Sequence, residues 1–210
     1  SRSRVQAMLA KEFNQVLERV SAKRAKASRY FAYAATVTAK AFNRDNECHA
    51  WCGIRVQMYP GAEASEIILH VRMRDNTAEQ QQDVLGKLGV NLIYGAYYYF
   101  ENPKKIIDSL TDNLEHGRIE VDSIEFHGPY FEEVDNRGIN LHLIRSWKTR
   151  GVMFKPDGKV AIPSEMLYKK NVLTIRGSFR PATKLNVDMI EQGQKAFRQL
   201  DDVSEENSIA

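Results

Sequence analysis

Two stretches of this chain alternate apolar and polar residues with a period of two, and a turn signal separates them. Ile54, Val56 and Met58 fall on one phase of 49–59. Ile67, Leu69, Val71 and Met73 fall on one phase of 65–74. Strand side chains point alternately to two faces, so each stretch reads as a strand with one apolar face. Pro60-Gly61 turns the chain between them. Tyr30–Thr38, rich in aromatic and β-branched residues, precedes them. Short links between such segments predict an antiparallel meander.

Helical spacing frames this meander. Val5, Met8, Leu9, Phe13, Val16, Leu17 and Val20 predict a helix over about 4–24, with Ser3 and Gln6 as a capping box. Lys23, Arg24 and Lys26 suit its negative end. Thr77 and Gln80 form a second capping box before Val84, Leu85, Leu88, Leu92 and Ala96. Gly86, Gly89 and Gly95 interrupt that run, each costing up to ~1 kcal/mol relative to Ala. Either the helix breaks there or glycine admits a close neighbour. Asn102-Pro103 opens another helix, striped by Ile106, Ile107, Leu110 and Leu114 and ended by Gly117.

Arg118–Phe126 reads as a strand whose apolar phase slips between Val121 and Ile124, as a bulge would make it do. Asp135 can cap a helix over about 136–149 through Ile139, Leu143 and Trp147, although Ile139, Leu141 and Leu143 also alternate as a strand. Val152–Phe154 and Lys159–Ile162 flank a Pro156-Asp157-Gly158 turn as a hairpin. One helical turn over Pro163–Tyr168, a strand over Asn171–Phe179 and a helix over Val187–Leu200 complete the chain. The expected class is α+β, a mixed, partly antiparallel sheet with packed helices. It forms one domain over 1–200, and a polar tail follows over 201–210.

Composition narrows the function classes. The chain has 210 residues, 43% apolar and 27% charged, which excludes a disordered tail, a collagen-like fibre and a coiled coil. Its apolar runs fall short of the ~18 residues that cross a membrane. Charges at Arg2, Arg4, Lys11 and Glu12 do not suit a signal peptide. The start at Ser1 and the polar end fit a piece of a longer protein. Thirty basic residues against 27 acidic give a net charge of +3, too even for a dedicated nucleic-acid binder. Cys48 and Cys52 alone make no disulfide framework, so the expected compartment is reducing and cytoplasmic.

Several clusters carry chemistry. His70, Arg72 and Arg74 share one face of a strand, followed by Asp75. Forked arginine donors suit a phosphate or carboxylate; a solvated sheet face gives the same pattern. Glu120, Asp122, Glu125 and His127 suit a cation or acid–base work, or a charged strand edge. Arg176 and Arg180, with Lys169 and Lys170, flank Gly177-Ser178 and suit an anion, or simply end a strand. Cys48-His49-x-x-Cys52 lacks the fourth ligand of a structural zinc site and fits ordinary packing, so no metal is expected. Tyr97, Tyr98, Tyr99 and Phe100 offer stacking rings, or core and oligomer packing. Phosphate-loop, dinucleotide, zinc-protease and serine-hydrolase motifs are missing, and no cofactor is named.

HVRMRDN (70–76), LGVNLIYGAYY (88–98), GRIEVDSIEFHGP (117–129), VDNR (134–137) and PSEMLYKKNVLTIRGSFRP (163–181) resemble a family of longer bacterial proteins. The chain looks like that family's central portion over about 1–195. The family is uncharacterised. Its members carry automatic names such as nicotinate-nucleotide adenylyltransferase or TonB-dependent receptor. His116-Gly117 and His127-Gly128 do not make the adenylyltransferase phosphate motif, and a receptor needs a barrel of about 22 strands. The resemblance implies no catalytic role.

The residues favour a domain that binds a phosphorylated or carboxylated small molecule, a nucleotide among the candidates. Arg72, Arg74, Arg176 and Arg180 would hold the anion, and His70 with Asp75 or Glu125 would move protons. The alternative is a non-catalytic assembly domain acting through a protein partner or a homo-oligomer.

Overall fold

The computed structural model describes residues 1–26, 28–38 and 48–209. Contacts divide the chain into two compact units, Ser1–Ile162 and Pro163–Ala210. The sequence carries no composition shift at that point.

The first unit is built on a four-stranded antiparallel sheet. Its strands are β1 (Tyr30–Thr38), β2 (Cys48–Gln57), β3 (Ser65–Met73) and β4 (Ile119–His127), in that order. The meander forms over the expected segments. Alternation sends Ile54, Val56, Ile67, Leu69 and Val71 to one face. There they meet α2 (Ala78–Tyr98), α3 (Pro103–Ser109) and α4 (Asn136–Arg145) through Leu88, Leu92, Ile106 and Leu143. The opposite face receives α1 (Arg2–Ser21), whose Val5 and Leu9 cluster with Ala34, Trp51, Ile68 and Ile162. The sheet is thus sandwiched, which is why β2 and β3 are buried almost throughout. The class is α+β, as expected.

Two glycines set how closely the layers approach. A Cβ on Gly53 would stand 2.8 Å from Leu9 and 3.0 Å from Val5, so the bare backbone lets α1 lie on the sheet. A Cβ on Gly89 would stand 2.8 Å from the Tyr33 hydroxyl, and α2 runs unbroken past it. Glycine in this helix admits a neighbour rather than ending the element.

The ends differ in detail from expectation. Ser1 caps α1 without a side-chain bond, and the Ser3–Gln6 box does not form because both residues already lie inside the helix. Thr77 does cap α2, accepting from the Gln80 amide. Helix α3 stops at Ser109; Asn113, at φ 58°, takes the left-handed conformation before Gly117 is reached. The 136–149 segment is a helix rather than a strand, capped by Asp135, and ends at Arg145.

The phase slip in β4 is a bulge. His70 faces Ser123 while Val71 faces Val121, leaving Asp122 as the extra residue. The outer side of β4 is closed by α4. Asn140 accepts from the Ile124 amide at 3.0 Å and donates to its carbonyl at 2.6 Å. Asn136 does the same for Phe126, at 2.8 and 3.0 Å. Two side chains one helical turn apart thus stand in for a fifth strand. The hairpin is present as β5 (Met153–Phe154) and β6 (Val160–Ala161).

The second unit holds α5 (Pro163–Met166), β7 (Asn171–Val172), α6 (Lys184–Phe197) and β8 (Ser208–Ile209). The strand expected over 171–179 shrinks to two residues, because β8 offers only two residues to pair with. That pairing draws the expected tail into a parallel ladder. Thr183 and Asn186 cap α6 reciprocally. No residue over 163–209 is buried. Among the described residues, no helix is long and apolar enough to cross a membrane.

Candidate functional site

The β3–β4 register gathers the polar residues of both strands. His70 is buried, and its Nδ1 lies 2.6 Å from Asp122 Oδ1 at the bulge. The Trp51 and His49 rings stand 5.0 and 5.5 Å from the imidazole. Asp122 Oδ2 is buried with no hydrogen-bond partner among the described residues. The extra residue of the bulge is therefore what aims a carboxylate at His70.

Glu120, two residues before Asp122 on β4, lies opposite Arg72 in the register. Its Oε2 accepts from Arg74 at 2.6 Å and lies 3.6 Å from Arg72. Its Oε1 accepts from the Thr149 hydroxyl at 2.8 Å and the Arg150 amide at 3.1 Å. Burial opposes the carboxylate's charge. The bonds from Arg74, Thr149 and Arg150, with the Arg72 charge, outweigh it and bring the pKa down from 4.5 to about 2. One carboxylate thus faces two arginines.

Past α4 the chain returns to the β4 edge, where the Val121 amide donates to the Lys148 carbonyl. This return closes a cavity of about 390 Å³. Arg74, His116, Glu120, Trp147, Lys148 and Arg150 are among its lining residues. The Lys148 ammonium donates to the Thr111 hydroxyl and the Asp108 carbonyl. Burial pulls its pKa down, while Asp108 and Asp112 pull it up by less. Arg150 is exposed, and its guanidinium has no ion pair among the described residues. Trp147 is 83% exposed. The lining thus brings Arg74, Lys148 and Arg150 together with the carboxylates Glu115 and Glu120.

The expected site residues fall in two different units. Arg72 and Arg74 lie in the first unit, beside Glu120. Arg176 and Arg180 are exposed residues of the second. His70 takes Asp122 as partner, not Asp75 or Glu125. Asp75 accepts a forked pair of bonds from Arg118. Glu125 sits 2.8 Å from Arg2 and 3.3 Å from His127. Burial raises the Glu125 pKa, but His127 and Arg2 together hold it below the usual carboxylate range. Both carboxylates are thus engaged within the chain.

The other clusters resolve similarly. Cys48 and Cys52 point into the helix-covered core while His49 lies across the sheet, so the three do not converge. Burial pushes the Cys52 thiol up to about 12. Among the described residues, no three His, Cys, Asp or Glu are placed to hold a metal ion. Tyr94, Tyr97 and Tyr98 pack ring on ring at the surface of α2.

Sequence reading missed Trp147, Lys148, Thr149 and Arg150 as site residues. The signal was the run Ser146-Trp147-Lys148-Thr149-Arg150, an aromatic ring among bases just past a helix. Comparison with family models, with curated proteins and with solved structures finds no match, so the functional reading stands on this geometry alone.

Proposed function

We propose that the first unit binds a small molecule carrying a phosphate or carboxylate group, in the cavity beside β4. The observation that carries this reading is that Arg74, Lys148 and Arg150 line one concave space of about 390 Å³, beside Glu115 and Glu120. Clefts of roughly 300–1,000 Å³ with a few convergent polar groups are where proteins hold small ligands. Glu120 holds Arg74 in place through a 2.6 Å bond. Guanidinium groups suit the forked geometry of an oxyanion. Titration of the intact chain with inorganic pyrophosphate tests this by calorimetry. Saturable binding that weakens at least about fivefold in Arg150→Ala, at unchanged Tm, is expected, the loss of one charge-assisted contact. No heat of binding at millimolar pyrophosphate overturns the reading.

A second reading, assembly, is favoured by the exposed stripe of Val90, Tyr94, Tyr97 and Tyr98 on α2. Sedimentation at increasing concentration tests it; a chain that stays monomeric removes it.

A further inference from the structure

The kind of molecule the cavity accepts, granted the anion site proposed for it, is set by the end of α4. Trp147 is the first residue after Ser146, the cap of α4. Its amide reaches the Ile144 carbonyl at 3.2 Å, and the Lys148 amide reaches the Leu143 carbonyl at 2.9 Å. These are the paired bonds of a helix end that closes through one left-handed residue. Glycine usually fills that position, because a side chain at φ 58° crowds the backbone. Here the position holds the bulkiest side chain of all.

No contact among the described residues accounts for that choice. Trp147 is 83% exposed, and its ring makes no hydrogen bond, ring contact or cation contact among the described residues. Strain of this kind persists where something else uses it. Trp147 lines the cavity that also presents Arg74, Lys148 and Arg150, beside Glu115 and Glu120. The hollow between Val56, Met58, Phe100 and Phe131 is apolar and holds only about 10 Å³, too little for a ligand.

We infer that Trp147 is a stacking platform, and that the ligand is a nucleotide whose phosphate meets Arg74, Lys148 and Arg150 while its base lies on the indole. An exposed indole face stacks on any base, so the platform selects for a planar ring rather than for one base. The left-handed turn fixes the backbone that carries the ring beside Lys148, one residue away from a phosphate partner.

The two tryptophans make a direct test possible, because Trp51 is 7% exposed and Trp147 83%. The intact chain is titrated with inorganic pyrophosphate, AMP and UMP while the solvent-exposed tryptophan emission is followed alongside calorimetry. AMP and UMP are expected to quench that emission and to bind at least about fivefold more tightly than pyrophosphate, the low end of a base-stacking contribution. Trp147→Gly is expected to remove this advantage and leave pyrophosphate binding unchanged. Its Tm should equal or exceed that of the native chain by up to about 2–4 °C, since the strain is relieved. Trp147→Phe should keep most of the advantage. Nucleotides that bind Trp147→Gly as tightly as the native chain overturn the inference. So does a fall in Tm accompanied by loss of pyrophosphate binding, which would make Trp147 a structural residue. Pyrophosphate binding without any nucleotide preference sinks the stacking platform and leaves the anion reading standing. Silence from all three ligands sinks both.

Discussion

The two units of this chain solve the problem of apolar side chains in opposite ways. In Ser1–Ile162, a sheet covered on both faces hides Leu9, Ile54, Ile67, Leu88 and Ile106 almost completely. In Pro163–Ala210, a well-capped amphipathic helix leaves Leu185, Val187 and Met189 between 44% and 75% exposed. Capping and helical spacing are good in both. The difference is whether a second layer exists to bury the apolar stripe. Local propensity is enough to form a helix on paper, but tertiary packing supplies most of its stability.

That contrast can be broken at four places. Leu88→Ala empties a fully buried site between α2 and the sheet, and should cost about 2–5 kcal/mol in chemical denaturation. A value below about 1 kcal/mol would show that the first unit is packed no better than the second. Glu120→Gln should cost about 1.5–3 kcal/mol near neutral pH, the loss of charge-assisted hydrogen bonds. Because the folded pKa is depressed from 4.5 to about 2, the ionised carboxylate stabilises fully above 4.5. The gap between native and Glu120→Gln should therefore shrink as pH falls from 4.5 toward 2. A gap independent of pH would remove the ionised Glu120 from the account.

Asn140→Ala leaves the buried Ile124 amide and carbonyl without their partner, and should cost about 1–3 kcal/mol. A neutral outcome would mean that water replaces the side chain. The smallest effect belongs to the second unit. Leu185→Ala should change stability by no more than about 0.5 kcal/mol, as for other exposed positions. Amides of 184–197 should also exchange much faster than those of β2 and β3. Protection equal to that of the sheet would show that α6 is covered in solution.

Most of the architecture was legible in the residues. The two-residue period gave β2 and β3, the Thr77 and Asp135 caps placed α2 and α4, and the phase slip at 121–124 placed the bulge. These signals are local, so one sequence displays them. The site was less legible. Arg72 and Arg74 were readable as a basic stripe, but their shared carboxylate, Glu120, lies 46 positions beyond Arg74, and only strand pairing brings it near. His70 meets Asp122 rather than Asp75 because the bulge, and not the chain's order, sets that register. Arg176 was read inside a strand over 171–179 and Arg180 just past it, but a strand needs a partner to pair with, and β8 offers two residues. The Trp147 conformation had no sequence signal at all, since glycine is what that turn ordinarily shows.

The asparagine pair of α4 gives the sheet a direction. Ile124 and Phe126 are already engaged on the outer side of β4, while β1 is paired only with β2 among the described residues. A sheet capped on one side can lengthen from the other side alone. Asn136 and Asn140 thus spend the backbone groups of Ile124 and Phe126 inside the chain, where a neighbouring strand would otherwise use them.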